Sequence, residues 1–225
     1  MTLSERAKTY LRKLKRVSKW QKDSAATREY FLRQNLKVNE TLVEIQEKFS
    51  GYELSIKNKP GHTFLLYLFS KIDIELNNKI ELYYFGSNYL IDFGEHKTAP
   101  LNFYITDLGE ICTLGTNEDD KPHIICSSVQ KFIEQYALQN ELTNQTESKY
   151  YYDIIDNEQL NRIIANSFSE IKECSDSYSQ WYSNGQLTIV KGVLLDIAEV
   201  YLHVYGQNEL VCNAFIESLK NAKIV

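Results

Sequence analysis

The spacing of apolar residues is most regular between residues 100 and 139, where it predicts three strands followed by a helix. Apolar and polar side chains alternate over residues 101–106, which is typical of a half-buried strand. The turn Asp107-Leu108-Gly109 predicts a hairpin, because glycine adopts positive φ readily and aspartate bonds to its own backbone. A second strand is predicted over residues 110–114 and a third over residues 123–126.

An amphipathic helix is predicted directly after these strands. Ser127 and Ser128 are candidate N-caps, since their hydroxyls can accept a bond from a free N–H of the first turn. Five apolar residues then recur on one helical face: Val129, Phe132, Ile133, Tyr136 and Ala137. The helix is therefore expected to lie on a sheet.

The first hundred residues predict two helices and a second hairpin. The helices are expected over residues 3–22 and 27–49, the second ending at Ser50-Gly51. Strands are predicted over residues 79–85 and 89–93, on either side of a glycine-containing turn. The eight residues His62 to Phe69 are nearly all apolar, and they fit a buried strand or a short helix.

The composition changes after Gln139. The polar run Asn140 to Ser148 predicts a surface linker. Helices are predicted over residues 157–171, 187–205 and 208–222, with an aromatic loop over residues 178–185.

These elements predict an α+β fold. We expect a mainly antiparallel sheet of about five or six strands, packed helices and a helical C-terminal third. Three parts are expected: a basic N-terminal helix (residues 1–24), an α+β domain (residues 25–142) and a helical extension packed on the same core (residues 143–225).

The central stretch resembles the end of the SUKH domain, which Knr-type and Syd-type proteins share with many bacterial immunity proteins. The matching positions are Asp107, Gly109, Ile124, Ile125, Ser127, Ser128, Phe132 and Ile133. The resemblance covers roughly residues 40–139, and the last third of the chain has no counterpart in it. It implies a non-enzymatic immunity or antitoxin-like protein that neutralises a toxin by tight binding.

Charge is distributed unevenly along the 225 residues, whose net charge is −5. Residues 1–23 hold eight basic residues and two acids, which leaves 17 of the 25 basic residues and 28 of the 30 acids for the rest of the chain. Three interpretations of the basic helix are open: packing on the acidic body, docking of an acidic partner or nucleic acid, and contact with an anionic membrane surface.

Apolar content of 43% and charged content of 24% are typical of a globular protein. The sequence contains neither an apolar run long enough to span a membrane nor a secretory signal, so we expect a cytoplasmic protein. Four scattered cysteines, Cys112, Cys126, Cys174 and Cys212, are interpreted as buried free thiols. We expect no cofactor and no metal.

Two groups of residues suggest chemistry. Asp196, Glu199 and His203 fall together on the helix predicted over residues 190–204, where they fit a solvated face better than a metal site. Asp92, Glu95 and His96 follow a strand and suggest acid–base catalysis. Because no motif of a known catalytic class is present, an enzyme is the third hypothesis only.

Two clusters of acids and tyrosines are the predicted partner-binding residues: Glu118, Asp119 and Asp120, and Tyr150, Tyr151, Tyr152 and Asp153. Tyrosine rings supply contact area and carboxylates steer a basic partner, so these clusters suit a protein toxin such as a basic nuclease. The alternative function is an adaptor that binds nucleic acid or an acidic partner through the basic helix.

Overall fold

The computed structural model describes residues 2–59, 61–99, 101–114, 121–147, 154–193 and 200–225. The helices are α1 (Glu5–Arg12), α2 (Ser24–Arg33), α3 (Glu40–Lys48), α4 (Lys71–Leu76), α5 (Val129–Glu141), α6 (Asn157–Ser167) and α7 (Glu209–Asn221). The strands are β1 (Glu53–Ser55), β2 (Thr63–Leu65), β3 (Tyr83–Phe85), β4 (Asn88–Asp92), β5 (Glu95–His96), β6 (Phe103–Thr106), β7 (Ile111–Leu114), β8 (Pro122–Cys126), β9 (Thr146–Glu147), β10 (Ser169–Glu170), β11 (Ser179–Ser183), β12 (Leu187–Val193) and β13 (Val200–Gly206).

The strands form three antiparallel sheets. A small sheet has the order β1-β2-β5, a central sheet the order β3-β4-β6-β7-β8, and a C-terminal sheet the order β10-β11-β12-β13-β9. The predicted α+β class with mainly antiparallel pairing is confirmed, as is the helix at the C-terminus.

The strands, the hairpin and the capped helix predicted for the central stretch are confirmed. Gly109 has φ 89° in the β6–β7 hairpin, where its N–H donates to the Thr106 carbonyl oxygen at 2.9 Å. Ser128 caps α5, its hydroxyl accepting from the Lys131 N–H at 3.2 Å. Strand β6 is buried on both faces rather than half-buried, because the Tyr83 ring packs edge-on against Tyr104 with ring centroids 5.2 Å apart.

The main core lies between the central sheet and α5. Phe64, Phe103 and Phe132 meet there edge-to-face, with the Phe64 ring centroid 5.0 Å from each of the other two. Full burial of a phenylalanine contributes about 2 kcal/mol, so this trio is a large part of the apolar stabilisation of the region.

The helix predicted over residues 3–22 is wrong beyond Arg12. The chain extends there, Arg16 pairs with Tyr52 as a β-bridge, and its guanidinium donates to the Ser50 carbonyl oxygen at 2.9 Å. These partners are distant in sequence, so helical periodicity did not predict the break. The single helix predicted over residues 27–49 is also wrong: Asn35, at φ 56°, separates α2 from α3.

Two predictions for the last third are wrong. In place of the helix predicted over residues 187–205, residues 187–193 and 200–205 belong to the two hairpin strands β12 and β13, in which Val190 lies opposite His203. The predicted loop over residues 178–185 contains β11. The hairpin buries apolar residues on both faces. Ile189 and Leu202 pack with α6 and α7, whereas Val190 and Tyr205 pack with Leu138 and Leu142. A strand that is apolar on both faces lacks the alternation that identifies strands. Helices α6 and α7 are confirmed.

Candidate partner-binding surface

Among the described strands, β3 pairs only with β4, which places it at one edge of the central sheet. Its alternation places Tyr83 and Phe85 on the outer face, away from α5, and Tyr84 on the opposite face. Tyr83 is 39% exposed and Tyr84 is 70% exposed. The predicted strands and their hairpin are confirmed, with Gly86 at φ 59° in the turn.

The outer face next to Tyr83 is apolar. Leu90, Tyr104 and Cys112 are buried there, and Phe85, Leu114 and Ile124 pack around them partly exposed. Because the main core lies on the other face of the sheet, these residues form a second, smaller apolar layer.

Two carboxylates border this layer, and no cation of the described residues compensates either of them. Asp92 lies opposite Tyr104 in the β4–β6 register, and Glu81 Oε2 lies 3.5 Å from the Tyr83 hydroxyl. Partial desolvation, together with the charge of Glu81, raises the pKa of Asp92 above its usual value. Asp92 in turn is the main cause of the raised pKa of Tyr83. No ion pair in the described part of the chain includes Glu81 or Asp92.

A cavity of about 330 Å³ lies on the other side of β3. Its walls come from the α2–α3 connection, β3, β4 and the β6–β7 turn: Leu36, Lys37, Val38, Asn39, Glu40, Leu82, Tyr84, Tyr89 and Asp107. The Asn39 amide donates to the Asp107 carbonyl oxygen at 2.7 Å and to the Tyr89 hydroxyl at 3.3 Å. Asp107 Oδ1 is buried without a hydrogen-bond partner.

We call these residues the β3 surface: Glu81, Tyr83, Tyr84, Tyr89, Asp92 and Asp107. It combines exposed tyrosines with carboxylates on both sides of one edge strand. Asp92 was predicted to take part in catalysis, and the tyrosines of this surface were not predicted. The signal was present, since Glu81-Leu82-Tyr83-Tyr84 has the acid–tyrosine pattern that was used for residues 150–153.

Both predicted partner-binding clusters lie outside the described residues. These are Glu118, Asp119 and Asp120, and Tyr150, Tyr151, Tyr152 and Asp153. The residues that flank the first cluster are described. Leu114 belongs to the outer apolar layer, and Lys121 lines a shallow groove beside Phe85 and Ile124.

The described geometry does not support acid–base catalysis by Asp92, Glu95 and His96. His96 Nδ1 accepts from the backbone N–H groups of Thr98 and Ala99, at 3.3 and 3.0 Å, in a tight turn. Partial burial and the neighbouring His62 lower the pKa of His96. Neither Asp92 nor Glu95 forms a hydrogen bond or ion pair with its imidazole.

His203, the third residue of the other proposed triplet, does not lie on a solvated helix. Asp196 and Glu199 are outside the described residues, and His203 is 2% exposed inside β13, with its ring centroid 4.4 Å from that of Tyr205. The solvated-face interpretation is therefore wrong for His203, because the segment is a strand with both faces covered.

The interpretation of the cysteines is confirmed: Cys112, Cys126, Cys174 and Cys212 are buried and free of disulfides. Burial raises the pKa of all four thiols, that of Cys112 to about 12. The described residues contain no cluster of three or more histidine, cysteine or acidic side chains suited to a metal ion. None of the described helices has both the length and the apolar character needed to cross a membrane.

Comparisons with protein-family models, curated proteins and solved structures find no match for this chain.

Proposed function

We propose that this chain is a non-enzymatic immunity or antitoxin-like protein, which neutralises a protein toxin by binding it through the β3 surface. The observation that carries the proposal is the exposed pair Tyr83 and Tyr84 on an edge strand beside the uncompensated carboxylates Glu81 and Asp92. The resemblance of residues 40–139 to the SUKH domain supports the same class of function.

Physical chemistry favours binding over catalysis at this surface. Tyrosine is enriched among the residues that dominate interface energies, because its ring supplies area at a low entropic penalty. Uncompensated carboxylates attract a basic partner and raise its association rate. A basic nuclease toxin fits both properties, since its active site is built to bind phosphate groups.

The proposal is tested by capturing the partner protein and by measuring its effect on bacterial growth. The chain is immobilised in lysate of its own cells at low and at about 0.5 M salt, and any stoichiometric protein retained at both concentrations is identified. That protein is then expressed in a test bacterium alone and together with the chain. We expect the captured protein to stop growth and co-expression to restore it. A captured protein that leaves growth unchanged, or that the chain fails to neutralise, would contradict the proposal.

A charge-matched pair of variants connects the function to the surface. Glu81→Lys together with Asp92→Lys reverses the two uncompensated charges, whereas Glu170→Lys with Glu217→Lys makes the same change on the C-terminal part. We expect the first variant to lose growth rescue and the second to keep it. Equal rescue by both would place the interface elsewhere.

The adaptor remains a second candidate, because three cations of the N-terminal segment are available. Arg12, Lys13 and Lys15 are exposed, and no described residue forms an ion pair with them. Deletion of residues 1–22 would not isolate their role, since Tyr10 and Leu11 belong to the core. Replacing the three cations with glutamine is the better test. An adaptor would lose nucleic-acid retention, and a toxin-binding protein would keep neutralisation.

A further inference from the structure

We propose that the cavity beside Tyr84 is a receptor for one arginine side chain, with the Asp107 carboxylate as its counter-charge. The inference deepens the proposed function, on which it rests for the assumption that the arginine belongs to a protein partner. It assigns a chemical role to one place on the β3 surface.

Asp107 is fixed through its backbone, but one of its side-chain oxygens is unpaired. Its backbone is held from two sides, because its N–H donates to the Tyr89 carbonyl oxygen at 3.1 Å and its carbonyl oxygen accepts from Asn39 at 2.7 Å. Its side-chain Oδ1, however, is buried and has no hydrogen-bond partner. Buried acceptors are nearly always paired in native proteins, so an unpaired carboxylate oxygen in a residue that lines the cavity indicates a missing donor.

The carboxylate can present an oxygen to a ligand without a change in the backbone. The terminal torsion of aspartate joins an sp³ to an sp² carbon and has a broad energy profile. Rotation about this torsion would turn a carboxylate oxygen from its buried position towards the cavity that Asp107 lines.

Two tyrosines form an aromatic wall of the cavity. Tyr84 and Tyr89 lie with ring centroids 6.4 Å apart and planes inclined by 67°, so both rings contribute to the same cavity. A guanidinium stacks on tyrosine faces and is more weakly hydrated than an ammonium, which favours arginine over lysine. The aliphatic part of the arginine would pack against Leu36, Val38 and Leu82.

The other charged groups of the cavity leave Asp107 as the available acceptor. Glu40 is already engaged by Arg28, whose Nε lies 3.0 Å from Oε1 and whose terminal nitrogen lies 2.8 Å from Oε2. Lys37 is exposed at the rim, and no ion pair between described residues joins it to Asp107. The cavity volume of about 330 Å³ is at the small end of ligand sites, as expected for a single side chain.

The test uses the full chain and a defined probe. Nα-acetyl-arginine methylamide is titrated into isotopically labelled protein, and N–H and tyrosine ring shifts are followed by nuclear magnetic resonance. We expect saturable shifts at Tyr84, Tyr89 and Asp107, with a dissociation constant on the order of 1 mM. The matched probe is Nα-acetyl-citrulline methylamide, which has nearly the same shape without the charge, and it should bind at least about tenfold more weakly.

Two variants decide whether Asp107 is the counter-charge. Asp107→Asn keeps the size of the side chain and the backbone hydrogen bonds, and it should weaken arginine-probe binding about tenfold. Glu170→Gln removes an exposed carboxylate from the C-terminal sheet and should leave the probe affinity unchanged. Equal binding of the arginine and citrulline probes, or an unchanged probe affinity of the folded Asp107→Asn variant, would overturn the proposal.

This experiment contains no toxin, so the two proposals fail separately. Absence of probe binding with growth rescue intact would overturn the arginine receptor alone. Probe binding at Asp107 without growth rescue would retain the receptor and contradict the neutralising function.

Discussion

Glu134 and Asp92 are carboxylates in opposite environments. Glu134 lies in α5, its side chain 5% exposed, and it accepts from the Ser4 N–H at 2.6 Å, accepts from the Ser4 hydroxyl at 2.7 Å and pairs with Arg6 at 3.5 Å. Asp92 lies on the outer face of the central sheet, and no described cation pairs with it. The first carboxylate joins α1 to α5, whereas the second is left available for a molecule outside the chain.

The comparison also explains the basic N-terminal helix. Arg6 reaches Glu134, Glu173 at 3.1 Å and Glu141 at 4.0 Å, while Ala7, Tyr10 and Leu11 are buried. Of the three interpretations made from the sequence, the geometry favours packing of α1 on the acidic body. Part of the positive charge of the N-terminal segment is thus paired with acidic residues of the same chain.

The largest loss of stability is expected from replacing Glu134, the carboxylate whose hydrogen bonds and ion pair lie within the chain. Glu134→Ala leaves Arg6 without its most buried partner and removes the acceptor for Ser4, so the free energy of unfolding should fall by about 3 kcal/mol. Urea denaturation followed by circular dichroism measures this change. Glu173→Ala is the control, because that carboxylate is 45% exposed and should contribute less than about 1 kcal/mol. A similar loss in both variants would show that Glu134 does not join the two helices.

The second prediction concerns the affinity of the chain for the captured protein. Reversal of Glu81 and Asp92 to lysine should reduce affinity for the captured protein at least about tenfold and change the free energy of unfolding by less than about 0.5 kcal/mol. Isothermal titration calorimetry and urea denaturation provide the two values. The Glu170→Lys, Glu217→Lys variant should keep the wild-type affinity. Its free energy of unfolding should fall by less than about 1 kcal/mol, because Glu217 forms a surface ion pair with Lys220. Loss of affinity only together with loss of stability would mean that the carboxylates support the fold.

The third prediction compares Asp107 with a satisfied turn carboxylate. Asp176 accepts from the N–H groups of Ser127, Tyr178 and Ser179 at 2.8, 2.9 and 2.8 Å. Asp176→Asn should therefore lower the free energy of unfolding by about 2 kcal/mol. Asp107→Asn should raise it by about 0.5 kcal/mol, because a buried oxygen without a partner is less unfavourable in a neutral amide. Destabilisation by Asp107→Asn would indicate that its carboxylate is needed for folding.

The smallest effect is a pH dependence. The pKa of Asp92 is raised in the folded state, so the folded protein retains the proton to a higher pH than the unfolded chain does. Ionisation of Asp92 therefore reduces stability as the pH rises through the raised pKa. Asp92→Asn should be more stable than the wild type at pH 7, by no more than about 0.5 kcal/mol for this partly exposed group. The difference should disappear below pH 3.8, the ordinary pKa of aspartate. Equal stability of the two proteins at pH 7 would show that the ionised Asp92 does not destabilise the folded protein.

Local signals determined which elements could be predicted. The β6–β7 hairpin and α5 depend on Gly109 and Ser128, whose backbone roles are set within a few residues. The end of α1 and the hairpin of β12 and β13 depend on partners far along the chain or on burial of both faces. Periodicity contains no information on either.

The candidate site was harder to predict for the same reason. Tyr84 and Tyr89 are close in sequence, but Asn39 and Asp107, which complete the cavity, are 68 residues apart. Asp107 was predicted as a turn residue whose side chain bonds to its own backbone. The turn is confirmed, but the side-chain bond is wrong, because Thr106 Oγ1 accepts from the N–H groups of Leu108 and Glu110. That its Oδ1 has no hydrogen-bond partner is a property of the folded chain, which no sequence pattern reports.

The most direct test of the β3 surface is hydrogen–deuterium exchange of the chain with and without its captured protein. Binding through this surface predicts slower exchange at residues 81–92 and around Asp107, with little change in α6 and α7. Slower exchange confined to residues 5–15 or to the C-terminal sheet would contradict the account and place the interface elsewhere.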